Sequence, residues 1–135
     1  QGVGFDIAPA AVALAAANAK LAGVEKHCRF FTADVKDFSP APGAMVFTNP
    51  PYGERLSTKE EMFSLYKTIG QVMSENNTWS FFLLSGYEEA QKAIAAGGDR
   101  KKATKNRKIY NGMLKTYLYQ YMGEKPPRRK EREHE

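Results

Sequence analysis

The 135-residue chain has few of the residues that build disulfides, zinc sites or membrane spans. Its single cysteine, Cys28, excludes an internal disulfide, and the only histidines, His27 and His134, leave no zinc-type ligand cluster. No apolar run approaches the roughly 18 residues that a membrane helix needs. We therefore expect a soluble, cytoplasmic protein with neither a metal nor a membrane partner.

Acidic residues are scarce towards the end of the chain. Residues 1–97 hold 8 Lys/Arg and 10 Asp/Glu, whereas residues 98–135 hold 12 Lys/Arg and only 5 Asp/Glu. A basic end on a near-neutral body is typical of proteins with an anionic partner, although a solvated tail without a partner is the alternative. Residues 124–135 lack apolar periodicity, so we expect a disordered basic tail after a single domain at 1–123.

Strand-like and helix-like segments alternate along the domain. Pro9 suits the start of a helix that ends before Gly23, and Thr58 with Glu61 forms a capping-box signature. Asn111-Gly112 between two strand-like runs predicts a hairpin. The predicted strands cover residues 3–7, 29–34, 44–48 and 79–84. The last of them is an unbroken apolar run, so we expect it to be covered on both faces of the sheet. The predicted helices cover residues 9–22, a segment from 58 onward and 88–96. This order predicts an α/β fold with a mainly parallel sheet and a terminal antiparallel hairpin.

The most informative motif is Asn49-Pro50-Pro51-Tyr52, at the carboxyl end of a predicted strand. Open α/β sheets bind their ligands at this edge. Two consecutive prolines stiffen the backbone, so the Asn49 amide oxygen and the Pro50 carbonyl can face one point. An ordinary Pro-Pro loop with a chance asparagine is the alternative interpretation.

Such a pair of acceptors suits an exocyclic amino group. The nitrogen lone pair of such an amine is delocalised into the base ring, and two acceptors on its hydrogens would free that lone pair for attack. The Tyr52 ring could stack on a base taken out of its helix. Positioning against an electrophilic methyl group would supply most of the rate, so no strong base is required.

Two acids, Asp6 and Asp34, form a second candidate site, since each lies at the end of a predicted strand. Both would point into the same crevice along the sheet edge, where an acid commonly accepts from ribose hydroxyls. Asp34 could accept from an adenine amino group instead. Either carboxylate could also do no more than cap the turn that follows it.

Several motifs together resemble the THUMP-associated RNA guanine-N2 methyltransferases, whose best-known members act on large-subunit ribosomal RNA. The matching segments are Gly4-Phe5-Asp6-Ile7, Asn18-Ala19, Ala22-Gly23-Val24, Ala33-Asp34, the run from Asn49 through Gly53-Glu54-Arg55-Leu56, and Tyr110-Asn111-Gly112. The Asn-Pro-Pro-Tyr turn alone is shared with adenine-N6 and protein-glutamine methyltransferases. Its continuation through Gly53 to Leu56 favours the RNA guanine group.

The resemblance implies a Rossmann-like class I methyltransferase fold, S-adenosyl-L-methionine as donor, and guanine N2 of 23S ribosomal RNA as acceptor. Asp6 would hold the ribose of the cofactor and Asp34 its adenine, and the cofactor would also contact Ile7, Val35 and Asn49.

The same resemblance places Asn49, Pro50 and Tyr52 in the catalytic acceptor pocket. Pro51, Tyr52 and Arg55 would contact the substrate, although Arg55 could equally pair with an acid such as Glu54. The partner would be RNA, either free ribosomal RNA or a pre-ribosomal particle.

The first strand of that family, with its glycine-rich cofactor loop, would lie before Gln1, as would its THUMP region. We therefore expect residues 1–123 to be the C-terminal part of a methyltransferase domain. Its sheet should lack a strand between the one that ends at Asp6 and the one that ends at Thr48. An upstream segment of the same protein or a neighbouring chain would fill that place, or else the sheet would be rearranged so that these two strands pair directly.

Two other functions use the same residues differently. The Asn-Pro-Pro-Tyr turn also fits an adenine-N6 or a protein-glutamine methyltransferase. A non-catalytic RNA-binding module, in which the basic end does the binding, is the hypothesis from another class of protein.

Overall fold

The structure is a computed structural model that describes residues 2–37, 43–50 and 58–124, apart from the side chain of Asn111. Those ranges contain six β-strands and three α-helices. The chain divides into two compact units, residues 1–39 and 40–135. The sequence predictions for Pro51, Tyr52, Arg55 and for the tail beyond Glu124 lie outside the described residues.

The first unit is a β–α–β arrangement. Strand β1 (Gly2–Asp6) runs parallel to β2 (Cys28–Thr32), with Gly2 opposite Cys28 and Asp6 opposite Thr32. Helix α1 (Pro9–Leu21) connects them and begins with proline at a first-turn position, where the missing N–H costs no hydrogen bond. Short 3-10 turns span Glu25–His27 and Val35–Asp37.

Most apolar side chains of this unit face solvent. Among residues 2–37, only Ala19 is buried. Large apolar side chains that are more than half exposed are Val3, Ile7, Leu14, Leu21 and Phe31. The described part of this unit therefore does not bury its own apolar surface.

The second unit is a four-stranded mixed sheet with two helices. Its elements are β3 (Met45–Thr48), α2 (Lys59–Glu75), β4 (Ser80–Ser85), α3 (Ala90–Gly97), β5 (Lys105–Asn111) and β6 (Leu114–Tyr121). The strand order is β3-β4-β6-β5. Strands β3 and β4 are parallel, and β6 is antiparallel to both of its neighbours. The predicted parallel strands with a terminal antiparallel hairpin are thus confirmed.

Helix α2 starts as its capping box predicted. The Thr58 Oγ1 accepts a hydrogen bond from the Glu61 N–H at 3.1 Å, which satisfies one of the free donors of the first turn. The helix buries Met62, Tyr66, Ile69, Val72 and Met73, which recur at helical spacing. Gly70 lies so close to the Ile94 carbonyl that a Cβ there would clash, so glycine allows α2 and α3 to approach closely.

The two faces of β4 differ in burial. Phe81, Leu83 and Ser85 are buried on one face, and the Tyr66 hydroxyl bonds Ser85, so α2 covers this face. Residues on the other face, including Phe82 and Leu84, are only half-buried. The strand was predicted to be covered on both faces, whereas the described residues close only one.

The C-terminal hairpin has a turn displaced by one residue from the predicted one. Asn111 pairs with Leu114, so the loop residues are Gly112 and Met113 rather than Asn111 and Gly112. Gly112 has a φ of 64°, a left-handed value that glycine adopts without strain at the first loop position of a type II′ turn. Within the ranges given above, no helix is long and apolar enough to cross a membrane.

Candidate cofactor and acceptor site

The two predicted cofactor acids lie at one edge of the first sheet. Asp6 is the last residue of β1, and Asp34 follows the end of β2 by two residues. The strands are parallel, and the Ala33 N–H donates to the Asp6 carbonyl at 3.0 Å, so the two strand ends are held together. This is the carboxyl edge, where open α/β sheets bind ligands.

Each carboxylate also holds a local turn. Asp6 Oδ1 accepts from the Ala8 N–H at 2.8 Å, and Asp34 Oδ1 accepts from the Lys36 N–H at 3.0 Å. Turn capping therefore accounts for one oxygen of each acid. Within the described residues the second oxygen of each has no hydrogen-bond partner, so the turns orient the carboxylates without using up their acceptors.

The neighbours of these acids differ in exposure. Ile7 directly follows Asp6, and its aliphatic side chain is 69% exposed. Val35 begins the 3-10 turn after Asp34 and is half-buried. Both are apolar surfaces next to a carboxylate, the combination that suits a nucleoside with its ring and its hydroxyls.

The predicted acceptor turn begins at the carboxyl edge of the second sheet. Strand β3 ends at Thr48, which pairs with Leu83, and the next residue, Asn49, is exposed. Pro50 is buried and has no N–H, so it cannot extend the pairing with β4. The chain therefore leaves the sheet after Thr48, with Asn49 exposed directly beyond the end of β3.

A polar network not predicted from the sequence lies at the same edge of the second sheet. Ser85, the last residue of β4, is fully buried and its Oγ hydrogen-bonds the Tyr66 hydroxyl. The same Oγ accepts from the Tyr87 N–H at 3.0 Å, and the rings of Tyr66 and Tyr87 lie 4.9 Å apart. The only sequence signal was a serine at the end of an apolar run. This Ser85 network fixes the strand end next to β3.

The hairpin reaches beyond this strand end. Ser85 pairs with Tyr117, whereas β6 starts earlier at Leu114 and β5 continues to Asn111. Strands β3, β4 and β5 run in the same direction, because β6 is antiparallel to both β4 and β5. The hairpin tip therefore projects from the same edge of the sheet as Asn49.

Two lysines and two tyrosines share one face of that projecting hairpin. Lys108 is directly opposite Tyr117, and Tyr110 is directly opposite Lys115. The Lys108 Nζ lies 5.4 Å from the centre of the Tyr110 ring, and the Lys115 Nζ lies 5.5 Å from the Tyr117 ring. The alternate spacing of these residues was the available sequence signal, although only the pairing register shows that they meet.

Parallel strands, a C-terminal antiparallel hairpin and polar residues at the carboxyl ends of the strands are features of class I methyltransferases, the fold of the solved structures that this chain resembles. The family model for the RMKL-like methyltransferase domain (UPF0020) matches residues 1–119. The chain belongs to this family, which confirms the resemblance identified from the motifs.

Two sequence relatives illustrate the match. YpsC of Bacillus subtilis (strain 168), whose name assigns it provisionally to the RNA methyltransferases, is 38% identical over 129 residues, or 95% of this chain and 32% of YpsC. The ribosomal RNA large subunit methyltransferase K/L of Syntrophotalea carbinolica is 34% identical over 125 residues, or 88% of this chain and 17% of that protein.

A solved structure extends the comparison to three dimensions. SMU.472, crystallised in complex with SAH, superposes with a TM-score of 0.83 and 33% identity over 92% of this chain and 32% of its own. The chain thus spans about a third or less of the length of these relatives.

Proposed function

We propose that the protein transfers a methyl group from S-adenosyl-L-methionine to an exocyclic amino group of an RNA base, namely guanine N2 of 23S ribosomal RNA. The observation that carries this proposal is the position of Asn49-Pro50. They leave the sheet at the carboxyl end of β3, in a chain that belongs to a methyltransferase family. Because the proposed substrate is ribosomal RNA, the cytoplasm is the proposed compartment.

The first unit would hold the cofactor. Asp6 and Asp34 share the carboxyl edge of the β1–β2 sheet, each with one oxygen outside its local turn. Asp6 would accept from the ribose hydroxyls, and Asp34 from the adenine amino group. Ile7 and Val35 supply apolar surface beside them. When bound, S-adenosyl-L-methionine supplies the electrophilic methyl group.

The second unit would hold the acceptor amine. The Asn49 side-chain oxygen and the Pro50 carbonyl would accept the two amine hydrogens, which localises the nitrogen lone pair for attack. The ring of Tyr52 would stack on the base, with Pro51 beside it and Arg55 on a phosphate. Asn49 would also contact the cofactor, so one residue aligns donor and acceptor.

A further strand would have to join the two sheets. Within the described residues β1 pairs only with β2, and β3 pairs only with β4, so one edge of each strand is unpaired. Apolar side chains on these strands are exposed: Val3 by 51%, Met45 by 64% and Phe47 by 72%. We propose that an upstream segment of the same protein, or a neighbouring chain, inserts between β1 and β3 and pairs both edges.

RNA is the proposed macromolecular partner, as free ribosomal RNA or in a pre-ribosomal particle. The basic balance of residues 98–135 supports this, since Lys and Arg that neutralise phosphates supply most of the affinity for nucleic acids. The tail from residue 124 onward would add contacts outside the domain at 1–123.

The experiment is a transfer assay with the complete polypeptide that contains this chain. It is incubated with methyl-labelled S-adenosylmethionine and unmodified 23S ribosomal RNA, which is then digested to nucleosides. We expect the label in N2-methylguanosine. Label in N6-methyladenosine would show that the acceptor is adenine N6 instead of guanine N2. Label on a glutamine of an added protein acceptor would show that the enzyme is a protein-glutamine methyltransferase. RNA binding without any transfer would favour the non-catalytic module.

A further inference from the structure

We propose that the β5–β6 hairpin is a binding site for single-stranded RNA. The site is one face of the hairpin, formed by Lys108, Tyr110, Lys115 and Tyr117, which we call the Lys–Tyr face. The inference rests on the proposed function in one respect, namely that the substrate is RNA. It adds a surface that guides the nucleotides next to the reacting base.

The four side chains are held together by strand pairing. Lys108 and Tyr110 alternate along β5, Lys115 and Tyr117 alternate along β6, and each lysine is opposite a tyrosine of the other strand. Alternate residues and direct cross-strand partners share one face of a sheet. The Lys–Tyr face therefore exists as a preformed surface rather than as side chains that gather on binding.

The charge around this face is of one sign. Residues 100–123 hold seven Lys/Arg and no Asp/Glu. Two of the seven have structural roles: Arg100 donates to the carbonyls of Met122 and Asn77, and Lys101 donates to those of Ala95 and Gly98. Five exposed cations remain, with no ion pair among the described residues. They are Lys102, Lys105, Arg107, Lys108 and Lys115.

Edge protection alone does not explain this composition. Strand β5 is the outer strand of its sheet, and exposed lysines on an edge strand discourage unwanted pairing with other chains. That role requires no exposed aromatic ring, yet Tyr110 is 65% exposed on this edge and Tyr117 is half-buried beside it. Aromatic rings interleaved with cations are the arrangement that binds single strands, because bases stack on the rings while the cations contact phosphates.

The positive charge of the Lys108 ammonium group also favours an anionic ligand. The interaction of Lys108 with the neighbouring Tyr110 raises the pKa of Lys108 above its ordinary value. A lysine is already charged at neutral pH, and this contact further favours its ammonium form. Single strands are favoured over duplex RNA, because stacked bases within a helix cannot lie on a tyrosine ring.

The position of the face relative to Asn49 connects it to the proposed reaction. Thr48 pairs with Leu83, Leu83 with Tyr119, and Tyr119 with Asn106, so these four residues form one row across the sheet. The Tyr117–Lys108 pair lies two residues further towards the carboxyl end of β3, at the level of the residue after Asn49. Strand β6 lies two strands from β3, or about 10 Å at the usual spacing between strands. Nucleotides adjacent to a base at Asn49 would therefore lie within reach of the Lys–Tyr face.

The first test removes the two cations. The complete polypeptide carrying Lys108→Ala and Lys115→Ala is titrated with a fluorescein-labelled single-stranded RNA oligonucleotide by anisotropy, over a series of KCl concentrations. We expect weaker binding, and a plot of log affinity against log salt that is flatter by about 1.4, since each phosphate contact contributes roughly 0.7. The matched control is Lys67→Ala with Lys92→Ala, two exposed helix lysines, which should leave both quantities unchanged.

The second test separates stacking from charge. Tyr110→Ala should weaken binding of the oligonucleotide about 5- to 150-fold, whereas Tyr110→Phe should bind like the wild type. Duplex RNA of the same sequence should compete poorly. Lysine variants that match their control, a Tyr110→Ala protein with wild-type affinity, or a preference for the duplex would each overturn the inference.

Methyl transfer to 23S ribosomal RNA is measured on the same proteins. Hairpin-dependent RNA binding without methyl transfer by the wild type would overturn the proposed function and leave this inference standing. An enzyme that methylates RNA, and whose hairpin variants bind it unchanged, would overturn this inference alone.

Discussion

The hydroxyl groups of Tyr66 and Ser85 lie 2.5 Å apart, and both side chains are fully buried. The bond connects α2, the helix that follows the acceptor turn, to the carboxyl end of β4. The Tyr87 N–H donates to the same Ser85 Oγ, so one serine joins the helix, the strand and the segment after it. Through this network the edge next to Asn49 is held by the core of the second unit.

Replacing this serine should destabilise the fold. Ser85→Ala removes one hydrogen-bond partner of the Tyr66 hydroxyl and the acceptor of the Tyr87 N–H, and an unmet buried polar group costs about 1–3 kcal/mol. Chemical denaturation followed by circular dichroism measures the free energy of unfolding. Ser64→Ala on the exposed side of α2 is the control and should change that free energy by less than about 0.5 kcal/mol. Equal effects of the two substitutions would contradict the structural role of the Ser85 network.

Tyr121 should behave in the opposite way. Its hydroxyl is buried and has no hydrogen-bond partner among the described residues. Burial raises the pKa of Tyr121 far above its ordinary value, so the hydroxyl stays protonated and uncharged. Because its removal takes away an unsatisfied polar atom, Tyr121→Phe should leave the free energy of unfolding unchanged or raise it by up to about 1 kcal/mol. Tyr66→Phe, which loses a real bond, should lower it; a Tyr121→Phe protein less stable than Tyr66→Phe would reveal a partner for Tyr121.

Features with a local signal could be predicted from the sequence. The capping box placed the start of α2 at Thr58, and the proline at position 9 placed the start of α1. The Asn49-Pro50 turn was expected at the end of an apolar strand, where a proline cannot continue the ladder, and β3 does end at Thr48. Each of these depends on residues within a few positions of one another.

Features that depend on strand register or on helix packing could not be predicted in this way. The Ser85 network requires that helix α2 brings Tyr66 against Ser85, and the Lys–Tyr face requires that Tyr117 lies opposite Lys108. These residues are separated in the chain, so no local pattern brings them together. The displaced turn has the same origin, because the hairpin register keeps Asn111 paired with Leu114 and leaves Gly112 to take the left-handed position.

The proposed cofactor role of Asp6 can be tested without disturbing its turn. Asp6→Asn keeps an oxygen that can accept from the Ala8 N–H but removes the charge and one acceptor. In the complete polypeptide we expect S-adenosylhomocysteine, titrated calorimetrically, to bind about 5- to 150-fold more weakly, which corresponds to roughly 1–3 kcal/mol. Asp37→Asn, at an exposed position of the 3-10 turn, is the matched control and should bind normally. An unchanged dissociation constant for Asp6→Asn would limit Asp6 to turn capping.

The decisive prediction concerns Asn49, which is exposed directly after β3. Its proposed role is on the acceptor amine, so Asn49→Ala should lower single-turnover methyl transfer by a factor on the order of 100 or more, the usual effect of losing one positioned polar contact. Affinity for S-adenosylhomocysteine should change far less.

Two further variants separate chemistry from folding at this position. Asn49→Asp keeps an acceptor oxygen and should retain part of the rate, because the amine hydrogens still have a partner. Asn77→Ala, an exposed asparagine of the same unit whose backbone carbonyl accepts from Arg100, should be fully active. If Asn49→Ala turned over like Asn77→Ala, the amine would be positioned elsewhere. If it lost cofactor affinity in proportion to rate, Asn49 would belong to the donor site alone.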